Sequence, residues 1–144
     1  MRQSMCHSMR HSMRNAAIGL ALVSGLLAGC ATKAPTAANV STIKLANGML
    51  VDDKGMTLYT FDDDKPNTGR SACYGNCAVT WPPVLAGEGI NPTGNLSVIT
   101  RADGARQWTF KGQPLYTWPE DQEPGDVYGD NYDKVWHVVK TGQL

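Results

Sequence analysis

The sequence has no apolar run long enough to cross a membrane, no acidic residue before Asp52, and no helical apolar period sustained for three turns. The first absence excludes a spanning helix, which needs about 20 consecutive apolar residues. The third excludes a helical bundle and leaves short strands as the means of burying a core. Beyond Arg14 there is no basic cluster, so a nucleic-acid footprint is missing. Also missing are a Cys-x-x-Cys pair, a Cys-x-x-Cys-His haem site, a phosphate-binding glycine loop, a paired-histidine metal helix and a nucleophile motif. These absences remove the common routes to catalysis, and the expected protein is non-enzymatic and without a cofactor.

The amino-terminal 30 residues differ from everything that follows. Arg2, Arg10 and Arg14 supply positive charge, and an apolar run of about 13 residues spans Ala16–Ala28. A basic start, a short apolar centre and small residues behind it read as a secretory signal. The segment closes Leu27-Ala28-Gly29-Cys30, which resembles the bacterial lipobox. Small residues at 28 and 29 suit a peptidase with a narrow site, and the Cys30 thiol can be alkylated by a diacylglycerol group. Residues 1–29 are therefore expected to be removed, Cys6 with them, leaving acylated Cys30 as a membrane anchor. One acyl chain binds a membrane marginally, whereas several, at about 0.8 kcal/mol per buried methylene, hold it firmly. Ala31 follows the cysteine. Lipoproteins retained in the inner membrane of enteric bacteria carry an aspartate there. The expected address is thus the cell envelope, at the periplasmic face of the outer membrane in a Gram-negative cell.

Residues 30–41 are small, polar and proline-containing, a tether reaching roughly 18 Å. Residues 42–144 are expected to form one small domain, since the mature chain suffices for one core but not comfortably for two. Loss of the three signal arginines leaves 10 basic against 13 acidic residues, a net charge near −3. Short apolar runs predict strands at Ile43–Leu45, Met49–Asp52, Thr57–Phe61, Ser97–Thr100, Gln107–Phe110, Gln113–Trp118 and Lys134–Lys140. Asn47-Gly48, Asp53-Lys54-Gly55, Asp103-Gly104 and Lys111-Gly112 are turn signals between them. Two hairpins are predicted, one about Asp53–Met56 and one about Lys111-Gly112. A helical turn is expected only near Cys77–Trp81, before Pro82-Pro83. The fold class is all-β with that minor turn, as a sandwich or a barrel.

The hairpins are related to each other. Gly55, Leu58, Tyr59, Thr60, Phe61 and Asp64 recur as Gly112, Leu115, Tyr116, Thr117, Trp118 and Asp121, each displaced by 57 residues. Trp81 and Trp136 follow their tyrosines by 22 and 20 residues. So regular an offset marks a duplication, with repeat one at about 43–85, repeat two at about 95–140 and a pseudo-twofold between them. Both copies read Tyr-x-(Phe/Trp/Tyr)-x-x-Asp. The chain thereby resembles the bacterial secreted-repeat lipoproteins that share this motif. Gly69-x-Ser71-x-Cys73, Trp81-Pro82-Pro83 and Trp136-His137-Val138-Val139 agree with the resemblance. It implies a secreted lipoprotein, in a family whose function is largely unknown.

Each remaining motif has a structural and a chemical reading. Tyr59 with Phe61, and Tyr116 with Trp118, lie two apart on strands and share a face. They are expected to fill the core, with Asp64 and Asp121 accepting turn N–H groups at the strand ends. The chemical alternative is an aromatic ledge for a sugar or cofactor edge, the two aspartates serving as acceptors. Asp62-Asp63-Asp64 with Asn67 offers oxygen ligands for calcium but lacks the alternating loop, so a solvated acidic turn is expected. Cys73 and Cys77 remain after Cys30 is acylated, one helical turn apart in an oxidising compartment. A structural disulfide is expected there, against a metal or redox role. His137 stands alone in the mature chain and is expected at the core edge, bonded to backbone. The weaker alternative makes it a copper or haem ligand with Met49 or Met56. Partners are expected to be the membrane, through Cys30, and an envelope protein or glycan, met near Tyr59, Phe61, Tyr116 and Trp118.

Overall fold

The computed structural model describes residues 41–140 and Gly142. The expected signal segment, Cys30 and nearly all of the tether lie outside the described residues. Seven short strands follow in order: β1 Lys44–Ala46, β2 Met49–Val51, β3 Tyr59–Phe61, β4 Leu96–Thr100, β5 Arg106–Phe110, β6 Gln113–Pro114 and β7 Trp136–Val138. One helix, α1 Asn76–Thr80, precedes Trp81, and a 3-10 turn spans Tyr132–Lys134. The architecture is all-β and two-repeat, in two two-stranded sheets and one three-stranded sheet.

Each repeat begins as an antiparallel meander. β1 pairs with β2, Ala46 opposite Met49, across Asn47-Gly48 with φ of 50° and 77°. Positive φ at both central residues is the twist that keeps two strands flush across a two-residue turn. β5 meets β6 in the same way across Lys111-Gly112, with φ of 48° and 79°. Gly112 is packed so tightly against Asn67 that a Cβ would sit 2.6 Å from the Asn67 backbone nitrogen. The connection from β2 runs through a longer turn, closed by Asp52, whose carboxylate accepts the N–H groups of Lys54 and Met56 at 2.9 Å each. Leu58 N–H then returns to Leu50 O at 3.0 Å.

Beyond that point the first hairpin opens, and the end of the other repeat fills the gap. Leu50 N–H donates to Val139 O at 2.9 Å, and Val139 N–H donates to Leu58 O at 3.1 Å. Repeat two repeats the arrangement with the roles reversed. Trp108 N–H donates to Val84 O, and Val84 N–H to Leu115 O, both at 2.9 Å. Each repeat therefore lends its last strand to its neighbour. At the centre Tyr59 and Tyr116, equivalent residues, exchange both backbone hydrogen bonds at 2.9 and 3.0 Å. The pseudo-twofold passes between them.

This exchange accounts for the places where strand assignments shift. Gln113–Trp118 is a ladder only over Gln113–Pro114, because Tyr116 leaves β5 and bridges to Tyr59 and Pro83. Lys134–Lys140 becomes a strand only at Trp136–Val138: Lys134, with left-handed φ of 62°, delays its start, while Val139 and Lys140 go on to pair with Leu50, Leu58 and Met49. Two buried clusters result. One is largely aliphatic, around Leu50, Leu58, Val84, Leu115 and Val139, with Trp108 and Phe110. The other is aromatic, around Tyr59, Trp81, Tyr116, Trp118 and Trp136, with Cys73 and Val138.

Candidate functional site

The aromatic cluster lies where the two repeats join, and it uses the repeat motif in a way no single copy displays. Tyr59 and Tyr116 are 0% exposed. Tyr59 O–H donates to Asp121 Oδ2 at 2.6 Å, and Tyr116 O–H donates to Asp64 Oδ2 at 2.6 Å. The tyrosine of each motif is thus bound to the aspartate of the other. The remaining carboxylate oxygens accept the backbone N–H groups of Ala72 and Tyr128. The expectation of turn N–H partners accordingly describes half of each aspartate's bonding. Burial, and then the hydrogen bond to the facing carboxylate, drives both phenols well above their ordinary range. Burial also raises Asp64, against the pull of Tyr116, Ala72 and Arg101. These tyrosines remain protonated donors at any physiological pH.

The rings form a column. Phe61 stacks on Trp136 at 4.3 Å between centroids and Trp136 on Trp81 at 3.9 Å, and Trp118 packs on Trp81 at 4.3 Å, tilted by 32°. Phe61 and Trp118 are equivalent, as are Trp136 and Trp81, so the column is itself two-fold. The expected packing of these aromatics into the core is what the geometry shows, and the alternative of a ledge has little ring face to draw on. A sugar needs open ring faces, and here the tyrosines are fully buried while Trp81 and Trp136 cover each other. Asp64 and Asp121, the acceptors in that alternative, are bonded to Tyr116 and Tyr59.

A polar chain runs into the cluster from one side. Arg101 is 3% exposed, and its guanidinium donates to Ser71 Oγ at 3.1 Å, Gln107 Oε1 at 2.6 Å and Cys73 O at 2.7 Å. Its plane also lies 4.4 Å from the Tyr74 ring centroid. Because the Tyr116 proton is given to Asp64, Ser71 donates to Tyr116 across their 2.7 Å contact. The Tyr59–Asp121 pair has no such chain; there Gly129 N–H meets Tyr59 Oη at 3.3 Å. Nothing in the local pattern around Arg101 singles it out, since a turn arginine before Asp103-Gly104 is ordinarily solvated. Ser71, within the Gly69-x-Ser71-x-Cys73 motif, was the available signal.

Cys73 and Cys77 are joined by a disulfide, with Cα atoms 5.2 Å apart, and it ties α1 to the aromatic cluster. Closing so short a loop removes about 2 kcal/mol of unfolded-chain entropy. A Cys73→Ser, Cys77→Ser variant is expected to lose about that much in urea unfolding while keeping a single transition. A loss beyond about 4 kcal/mol would show that the disulfide sets the fold rather than trimming it. His137 departs from the expectation of a backbone-bonded core-edge residue. Its side chain is 41% exposed and Nε2 lies 3.2 Å from Asp62 Oδ2, because β7 turns this residue outward at Thr60. The acidic run is split in the same region, Asp62 going to His137 and Asp64 to Tyr116. Among the described residues no group of three or more His, Cys, Asp or Glu side chains is placed to hold a metal ion.

Beside the column lies a groove of about 400 Å³. α1 forms one wall through Asn76, Cys77 and Thr80, and the 3-10 turn forms the other through Tyr132 and Asp133. The buried edges of Trp81 and Trp136 supply the floor, with Phe61 and Asp63 at one end. Of the residues that line it, only Phe61 belongs to the expected interaction surface.

A family model described as a secreted repeat of unknown function matches residues 41–85 and again residues 97–140. The two matches coincide with the two repeats. No curated protein and no solved structure matches the chain. Among the described residues no helix is long and apolar enough to cross a membrane.

Proposed function

The chain belongs to the secreted-repeat family, and from that membership we propose that it is a lipid-anchored, non-enzymatic binding module of the cell envelope. One observation carries the reading. The polar atoms of the family motif are spent on joining the repeats, through the Tyr59–Asp121 and Tyr116–Asp64 pairs. The motif therefore builds a stiff scaffold and supplies no reacting group. What the scaffold holds out to solvent is the groove between α1 and the 3-10 turn. A hydrolase would need His137 beside Asp64 or Asp121, but His137 faces Asp62 and both other carboxylates are buried with tyrosines. A metal or redox accessory has less support. The two cysteines are bonded to each other, and the His137 imidazole is paired with a carboxylate.

The lipobox-like pattern supports the envelope assignment, since Leu27-Ala28-Gly29-Cys30 follows a short apolar run with a basic start. The full chain expressed in its own host is expected to incorporate labelled palmitate and to sediment with membranes until detergent is added. Cys30→Ser is expected to lose the label and move to the soluble fraction. Retention of Cys30→Ser in membranes at the wild-type level would refute lipid anchoring.

A further inference from the structure

We infer that the groove between α1 and the 3-10 turn binds a substituted ammonium, an amine whose positive charge carries a skirt of carbon substituents. This deepens the binding reading above and rests on it. The charge of the lining comes first. Asp63 and Asp133 are both exposed at its rim, and no lysine, arginine or histidine lines it. Lys134 follows Asp133 in the chain yet is not among the lining residues. An anion would meet two carboxylates there with no compensating charge, whereas a cation would meet two opposite charges.

The wall decides which kind of cation. Phe61, Trp81, Trp136, Tyr132 and Val135 give the groove an apolar floor, and Asn76 and Thr80 add neutral polar groups. Phe61 ends the ring column, stacked on Trp136 and only half-buried. An accessible aromatic ring attracts a cation through its quadrupole, and an alkylated ammonium sheds its water more readily than a bare ion. A metal ion has no such use for aromatic walls, and the described residues bring no third ligand to the two carboxylates. A volume of about 400 Å³ falls within the range of small-molecule sites, about 300–1,000 Å³.

The backbone holds the acid in place. Asn131, Asp133 and Lys134 all take left-handed φ, a conformation that non-glycine residues adopt at a cost, and the result sets Tyr132 and Asp133 at the rim. Trp81 and Trp136 in the floor provide a built-in reporter.

The test uses the full chain in non-ionic detergent, with choline as the probe and its uncharged carbon analogue 3,3-dimethylbutan-1-ol as the control. Sodium chloride keeps the ionic strength constant. Choline is expected to change the tryptophan fluorescence saturably, and the neutral analogue is not. Asp63→Asn and Asp133→Asn are each expected to weaken choline binding about threefold, and the double variant about tenfold. Both positions are exposed and asparagine tolerates left-handed φ, so unchanged melting temperatures confirm that the fold is intact. An equal response to the neutral analogue would overturn the cation assignment and leave the binding reading standing. No response to either compound would overturn the ammonium site and leave the binding reading to be tested with other partners.

Discussion

Arg101→Met is expected to cost about 4 kcal/mol of stability at pH 7, and distinctly less at pH 4. The side chain is buried, and its guanidinium satisfies Ser71 Oγ, Gln107 Oε1 and Cys73 O. Methionine fills much of the space but donates nothing, so buried acceptors lose their partners at about 1–3 kcal/mol each. The pH dependence comes chiefly from buried Asp64. A smaller part comes from exposed Asp103, whose carboxylate accepts Arg101 Nε–H at 3.2 Å and is held low in part by it. Burial already raises the pKa of Asp64, and Arg101 is one of the influences holding it down. A carboxyl with a higher pKa in the folded chain binds its proton more tightly there. Its contribution to stability is greatest at low pH and declines as pH rises through the window above the unfolded value. Without Arg101 that window extends upward, and an ionised Asp64 becomes more costly at pH 7. At pH 4 the variant loses mainly the hydrogen bonds of the guanidinium. Urea unfolding of wild type and variant at both pH values measures the difference directly. In an Asp64→Asn background the pH dependence of the loss is expected to shrink. A loss of the same size at both pH values would show that Arg101 and Asp64 are not coupled.

Trp81→Ala is expected to cost a comparable amount, about 4 kcal/mol, the range for removing a buried aromatic. The indole is 3% exposed and touches Tyr59, Trp118, Tyr132 and Trp136, with the Trp136 ring 3.9 Å away and 4° from parallel. Trp136→Ala is expected to cost about as much, since Trp136 is its partner across the pseudo-twofold. For a domain whose total stability is about 5–15 kcal/mol, either change leaves little in reserve. The two losses are expected to add to less than their sum, because each variant already removes the contact the other would break. The unfolding transition is expected to stay single. Both tryptophans belong to both repeats, and each repeat also holds the other's last strand, so neither can persist alone. Calorimetry that resolved two transitions would contradict this shared core.

Much of the architecture was legible in the chain. The 57-residue offset marked the duplication. Asn47-Gly48 and Lys111-Gly112 marked turns whose geometry depends on a few adjacent residues. The pairing of Cys73 with Cys77 concerned residues one helical turn apart. The errors fell where distant segments meet. Lys134–Lys140 read as one strand, because nothing in its apolar pattern shows Lys134 in a left-handed conformation. Gln113–Trp118 read as a strand of its own hairpin, although from Tyr116 onward its N–H groups are bonded to the other repeat. His137 read as a core-edge residue from its valine neighbours, and the facing Asp62, 75 residues away, placed it at the surface.

The sequence by itself determined that this protein is an all-β pair of repeats of the secreted-repeat family, with the turns and the disulfide in place. Those properties follow from local periodicity, turn chemistry and a fixed internal offset, each readable within a short window. Only the tertiary structure decided that the repeats exchange their last strands, that each motif tyrosine binds the other motif's aspartate, and that Arg101 is buried. It also decided that α1 and the 3-10 turn enclose an acidic, aromatic groove. These are contacts between residues some 30 to 90 positions apart, for example Leu50 with Val139 or Arg101 with Ser71. Their partners are chosen by which buried polar atoms can be satisfied together, and that selection operates only once the chain has closed on itself.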